Sequence, residues 1–211
     1  MARGRASDYD DKRRAILDRS ARLFATHGYD RASIAMIAAA CGVSKALLYH
    51  YYKDKDELLF DIIRAHLDEL IAAVEPAAAI AEPRKRLVAL ATALLDAYRD
   101  ADAEHQVQIN HLRLLPPDKQ EILKDLERQL VAFFADAIVA AVPAVAANRA
   151  LLKPLTMSLF GMLNWKYLWF RPGGPLTSED YARLAVHLVV EGAADLPADL
   201  ARVDTRRQAA E

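Results

Sequence analysis

The feature that most constrains this chain is a helix that stops and restarts within three residues. Residues 33–55 read SIAMIAAACGVSKALLYHYYKDK. Ser33 can cap a short helix over 34–40, and Ser44 a second over 45–51. Between them Gly42 supplies a left-handed turn at little conformational cost. Ile34, Ile37 and Ala38 face inward, Val43 plugs the corner, and Ala39 and Ala40 are small enough for close helix approach. A packed core does not need three tyrosines and two lysines crowded after such a corner, as Tyr49, Tyr51, Tyr52, Lys53 and Lys55 are here.

Helical spacing continues almost throughout, with no strand-type alternation. A first helix is expected over 10–26, apolar along Ile16, Leu17, Ala21, Leu23 and Phe24, and closed by His27-Gly28. Asp54 starts a fourth, with Glu57 three positions on in the capping-box pattern, and Leu58, Leu59, Ile62, Ile63, Leu67, Leu70 and Val74 carry it to about Pro76. Further helices are predicted over 83–98, 103–114, from 118 to the break at Pro143, over 149–170 and from 177 onward. The fold class is all-α: an N-terminal three-helix helix-turn-helix domain plus a larger helical domain, about nine helices in all. The expected boundaries are 1–55, 56–197 and a polar tail over 198–211. Apolar content of 54% with few Gly and Pro suits a well-buried fold.

Two short helices joined at a glycine turn form the arrangement whose second helix enters the DNA major groove. The residue types suit it. Ser44 and Lys45 open that helix where side chains and backbone N–H groups can meet phosphates, and Tyr49, His50 and Tyr51 offer polar tips beside flat rings. Residues 1–60 carry 11 Lys and Arg against 8 Asp and Glu, whereas the rest carries 17 against 21, the polarity expected if only the N-terminal part meets phosphate. The same corner also occurs in proteins that never see DNA, so geometry alone leaves both readings open.

At these residues the chain resembles the DNA-binding domain of TetR-family transcriptional regulators. The pattern of a hydroxyl residue, I-A, G-V-S, L-Y-x-H-F and K-x-x-L is held here by Ser33, Ile37-Ala38, Gly42-Val43-Ser44, Leu48-Tyr49, and Lys55 with Leu58. It departs from the pattern at His50-Tyr51-Tyr52, where Tyr51 occupies the usual histidine position. The resemblance covers residues 10–60. It implies that Ser33, Ser44, Lys45, Tyr49, His50, Tyr51 and Lys55 touch double-stranded DNA, mostly its phosphates, with Ala46 and Leu47 nearest the bases. It further implies a ligand-responsive repressor that binds a palindromic operator as a homodimer.

The segment 149–170 is apolar around most of its circumference, which calls for burial on two sides, by its own core and by a second copy or a deeper monomer core. A homodimer interface is expected at Leu155, Leu159, Met162 and Trp169, with Tyr181, Leu184 and Leu188 of the last helix; the resemblance implies that the last two helices form it. A ligand cavity among the middle helices would be lined by Tyr98, His105, Ile109, His111, Phe133, Phe134, Phe160, Asn164 and Trp165. Residues 161–176, GMLNWKYLWFRPGGPL, resemble a TetR-family subset linked to fatty-acid, sterol or phenylacetate catabolism. That implies an acyl-CoA thioester as effector, in place of any cofactor.

Other classes find less support. The six histidines show no H-E-x-x-H spacing, no metal or catalytic site is expected, and no glycine-rich phosphate loop or G-x-S-x-G elbow occurs. Cys41 precedes a turn glycine, where a small buried residue is wanted, and as the single cysteine it excludes an internal disulfide. No apolar run reaches membrane-spanning length, because Asp136 splits the best candidate, and the N-terminus is too polar for a secretory signal. A cytoplasmic protein is expected. An all-helical enzyme, or a scaffold without DNA binding, is the alternative.

Overall fold

The computed structural model describes residues 2–171 and 173–196. Among these residues there are ten α-helices, three single-turn 3-10 helices and no strand. The helices are α1 (Ala2–His27), α2 (Ile34–Cys41), α3 (Lys45–Tyr51), α4 (Lys55–Ala78), α5 (Pro83–Ala97), α6 (Asp102–His111), α7 (Pro117–Ala141), α8 (Pro143–Ala147), α9 (Leu152–Asn164) and α10 (Ser178–Ala194). The polar tail expected over 198–211 lies outside the described residues.

Most boundaries follow local chemistry. Ser33 caps α2 by accepting from Met36 N at 3.2 Å, and Ser44 caps α3 by accepting from Leu47 N at 3.1 Å. Glu82 caps α5 through Arg84 N and Lys85 N, ahead of Pro83 at the first helical position. Thr177 and Asp180 form a reciprocal capping box on α10. At α4 the box is offset: Asp54 accepts from Glu57 N, but the Glu57 carboxylate accepts from Lys53 N.

Three features differ from expectation, one of them the additional short helix α8, which Pro143 opens at its first position where only a break is expected. α1 starts at Ala2, where Ala and Arg in the first turns favour helix, Gly4 is tolerated near the end, and no proline stops the run. The expected helix over 149–170 is broken: α9 ends at Asn164, and the chain tightens into a 3-10 turn over Lys166–Leu168. That break shifts every face drawn past Trp165.

The chain divides into two compact units. One gathers residues 1–69 and 100–126, the other 70–99 and 127–211, so α4 and α7 each contribute to both. In the first unit, Ile16 and Phe24 of α1, Ile37 of α2, Leu48 of α3, Leu58, Leu59, Ile62 and Ile63 of α4, and Val107 of α6 share one core. In the second, Leu87, Leu90 and Leu94 of α5, Phe134 and Ile138 of α7, Leu159 and Leu163 of α9, and Val186 and Val189 of α10 share another. Burying each such side chain contributes about 1.5–3 kcal/mol, the term that holds otherwise marginal short helices in place.

Candidate nucleic-acid interface

The corner between α2 and α3 bends by 97°, within the range of helix pairs that read DNA. Gly42 makes it, with φ +68°, a backbone conformation that a side chain resists. Its N–H donates to Ala39 O at 3.1 Å and the next, Val43 N–H, to Ala38 O at 3.0 Å, the paired bonds of a Schellman end. The Arg19 guanidinium of α1 adds a bond of 2.8 Å to Cys41 O, satisfying a carbonyl that the helix end leaves open. No spacing rule exposes that arginine in the sequence. Ala39 and Ala40, expected at the helix contact, are exposed instead; Ile37, Ala38 and Cys41 make the buried side.

α3 is seven residues long and is held by Leu48, fully buried, and by Tyr52 just past its end. Everything else it carries is turned outward. Ser44, Lys45, Ala46, Leu47, Tyr49 and His50 are exposed, Tyr49 at 54%. Ser33 is exposed at the start of α2. Lys45 has no ion-pair or hydrogen-bond partner among the described residues. Tyr51 is half-buried, and its ring stacks on Tyr9 of α1 at 4.7 Å with an angle of 24°.

Lys55 is placed differently from expectation. Its ammonium donates to Tyr29 O at 2.7 Å and Ala32 O at 3.1 Å, and sits 4.1 Å from the centre of the Tyr29 ring. The charge is committed to the loop between α1 and α2, where it holds two carbonyls that no helix satisfies. Tyr29 is fixed from its other end, its hydroxyl donating to Asp56, and burial together with that carboxylate raises the phenol's pKa. Lys55 thus braces the loop from inside.

Residues 16–62 match the family described as bacterial regulatory proteins, tetR family, and residues 81–193, more than half of the chain, match the tetracyclin repressor-like C-terminal domain. The chain belongs to the TetR family. A TetR-family transcriptional regulator from Bordetella parapertussis is 34% identical, covering 88% of this chain and 97% of that one, with a TM-score of 0.79. The transcriptional repressor KstR2 of Rhodococcus jostii is 27% identical over 188 residues, 87% of this chain and 91% of that protein. AibR, solved in complex with isovaleryl coenzyme A and operator DNA, is 29% identical, covering 85% of this chain and 98% of that one, with a TM-score of 0.71. TetR-family members regulate transcription and are not enzymes, so the enzyme alternative falls. Among the described residues no single helix is long and apolar enough to cross a membrane.

In this TetR-family chain the expected dimer residues separate into two groups. Leu159 is fully buried and Tyr181 nearly so, both inside the second unit's own core, where the Tyr181 hydroxyl donates to Met162 O at 2.9 Å. Leu155 and Met162 are half-buried against the same core. Only Trp169, Leu184 and Leu188 are outward, at 53%, 43% and 54%. Met157, Leu168 and Leu176 are exposed as well; Met157 lies on α9 opposite the stripe through 155, 159 and 162, which runs along the inward side of that helix.

The expected cavity residues are divided between the two units. His105, Ile109 and His111 belong to the first unit; Tyr98, Phe133, Phe134, Phe160, Asn164 and Trp165 belong to the second. His105 is buried with its ring 5.9 Å from that of His66, the His111 Nε2 accepts from Tyr29 N at 3.4 Å, and Ile109 is exposed. In the second unit the Tyr98 hydroxyl donates to Asn164 Oδ1 at 3.0 Å, and Phe134 meets Phe160 edge-to-face at 4.8 Å within the core. Trp165 is half exposed.

Proposed function

We propose that this chain is a ligand-responsive transcriptional repressor that binds a palindromic operator as a homodimer and is released by an acyl-CoA thioester. The observation that carries the DNA reading is α3: two anchors inside, and Ser44, Lys45, Ala46, Leu47, Tyr49 and His50 outside. Lys45 brings charge and a donor within reach of base edges or phosphates, while Ala46 and Leu47 offer apolar contact to a thymine methyl. With few polar groups aimed at bases, sequence preference leans on Lys45, on the pairing of half-sites and on DNA shape. The expected functional division stays at 1–55 for DNA binding and 56–197 for ligand and dimer, and the protein works in the cytoplasm.

One such helix makes too few contacts for strong specific binding, so two copies are required, their heads about 34–36 Å apart or a small multiple of that. The exposed Trp169, Leu184 and Leu188 support a second copy as the occupant of that surface. Release follows from linkage: an effector that binds better to a body conformation with misplaced heads lowers DNA affinity by that difference. The acyl-CoA assignment rests on likeness to AibR, solved with isovaleryl coenzyme A, and on the character of residues 161–176.

The test has two arms. The purified chain is titrated, by fluorescence anisotropy, with the duplex flanking its own gene and with a scrambled duplex; equal affinity for both overturns the repressor reading. It is then melted with isovaleryl-CoA, longer acyl-CoA esters and free CoA. A true effector at a hundred times its Kd stabilises by about 2.7 kcal/mol and releases the duplex. No release by any thioester removes that effector class.

A further inference from the structure

The operator-contacting surface does not end at α3. At the C-terminal end of that helix three rings run in series: His50 meets Tyr51 edge-to-face at 5.7 Å and 82°, and Tyr51 stacks on Tyr9 of α1 at 4.7 Å and 24°. Tyr9 is 42% exposed, so the stack lies on the outside of the head. Among the described residues neither the Tyr9 nor the Tyr51 hydroxyl has a hydrogen-bond partner, although each is a donor that water or a ligand must satisfy.

The place is also braced. Arg13, one turn beyond Tyr9, pairs with Asp61 of α4 at 2.5 Å, and both groups act on the buried phenol of Tyr52, next to Tyr51. This stretch of α1 is therefore tied to the end of α3 by a stack and to α4 by an ion pair. Asp10 and Asp11 step round the helix away from Tyr9, while Lys12 and Arg13 follow it at three and four positions, Arg13 being held by Asp61. Two neutral donors beside a helix whose outward residues suit a groove fit the acceptor oxygens of a phosphate strand.

We propose that α1 takes part in operator binding through the Tyr9–Tyr51 stack, the two phenol hydroxyls donating to backbone phosphates of duplex DNA. This rests on the DNA-binding reading above. The phenols are neutral, so the contact adds affinity without releasing counterions. Tyr51 stands where the family pattern has histidine, and Tyr9 orients its ring; Tyr9 is thus a positioning residue for Tyr51 as well as a donor.

The experiment uses the full chain and a duplex selected by the wild-type chain from a randomised pool. Affinities of Tyr9→Phe, Tyr9→Ala, Tyr51→Phe, Tyr51→Ala and Tyr9→Ala/Tyr51→Ala are measured across a salt series, with melting curves as the folding control. Tyr9→Phe and Tyr51→Phe are expected to weaken binding roughly tenfold each with an unchanged salt slope. Tyr9→Ala loses more, and the double alanine variant loses less than the sum of the singles. Wild-type binding by Tyr9→Phe overturns the donor role even if Tyr9→Ala is weak, and a reduced salt slope overturns the neutral contact. If the wild type selects no duplex at all, the DNA-binding reading itself fails and this inference with it; if the wild type binds and every tyrosine variant binds equally, this inference alone fails.

Discussion

α3 and α9 are both short, both apolar in composition, and opposite in how they carry their surface. α3 has seven residues, buries Leu48 and turns nearly all the others outward. α9 has thirteen and buries Thr156, Leu159, Phe160 and Leu163, leaving Met157 and Gly161 open on its outer side. In α3 each end is marked by a residue with one physical use, a serine cap and a buried tyrosine, so inside and outside follow at once. In α9 apolar residues surround the axis, and composition alone cannot say which of them a neighbour covers. A helix with few buried positions is thus easier to orient than one with many.

The largest effect should come from removing the single anchor. Leu48→Ala deletes a fully buried side chain whose helix has little else to hold it, at a cost of about 2–5 kcal/mol. Chemical denaturation should show the loss, and DNA binding should vanish with α3. The equivalent change on α9, Leu159→Ala, is expected to cost a similar amount but to leave DNA affinity intact at temperatures where the chain stays folded. If Leu159→Ala abolished DNA binding in a folded protein, the two helices would not be independent in the way their burial indicates.

On the outer surface the contrast reverses. Leu184→Glu with Leu188→Glu touches no buried contact, so monomer stability should hold, while a dimer seated on this surface should lose at least 2 kcal/mol of association energy. Light scattering at micromolar concentration reads the change. A variant as dimeric as the wild type would move the interface elsewhere, and Met157 and Trp169 would then need the same substitution.

Acid provides a third way to separate the regions. Burial, followed by the neighbouring His105, lowers the His66 pKa to about 3. The imidazole is therefore kept neutral in the folded chain and gains a proton near 6.5 when unfolded. The folded pKa lies below the unfolded one, so stability is full above pH 6.5 and falls as pH drops from 6.5 toward 3. The slope is about 1.4 kcal/mol per pH unit, or roughly 2 kcal/mol by pH 5. His66→Gln should flatten that decline in thermal melts followed from pH 7 to 5. An unchanged acid profile would show that other groups set it.

The sequence made the head legible because its signals are local. Ser33, Gly42, Ser44 and Asp54 each do one job within four residues of themselves, and all four do it as expected. The capping pattern at Asp54 was visible too, though not the transfer of its second bond to Lys53 N. What escaped was non-local: Arg19 reaching Cys41 O, Lys55 reaching Tyr29 O and Ala32 O, and Tyr9 stacking on Tyr51, pairs separated by 22 to 42 positions that spacing rules do not connect. The faces of α9 are hard to read from the sequence for another reason. Helical phase does not carry through the break at Trp165, and residue type does not tell which of the two units a side chain joins.

The finest distinction lies between two lysines of the head, and it sharpens the contrast between residues that brace and residues that touch. Lys45 is exposed with no partner among the described residues; Lys55 donates to two carbonyls and lies over a ring. Lys45→Ala should leave the melting temperature unchanged, lower DNA affinity, reduce the salt slope by about one, and alter which duplexes are preferred. Lys55→Ala should lower stability by about 1–2 kcal/mol, since two loop carbonyls lose a charged donor, and should weaken all duplexes alike with the salt slope unchanged. Lys55→Arg discriminates further: a guanidinium keeps the charge but cannot reproduce a compact ammonium held between two carbonyls and a ring face. If Lys55 met a phosphate instead, Lys55→Arg would bind DNA as well as the wild type and Lys55→Ala would lose the same unit of salt slope as Lys45→Ala.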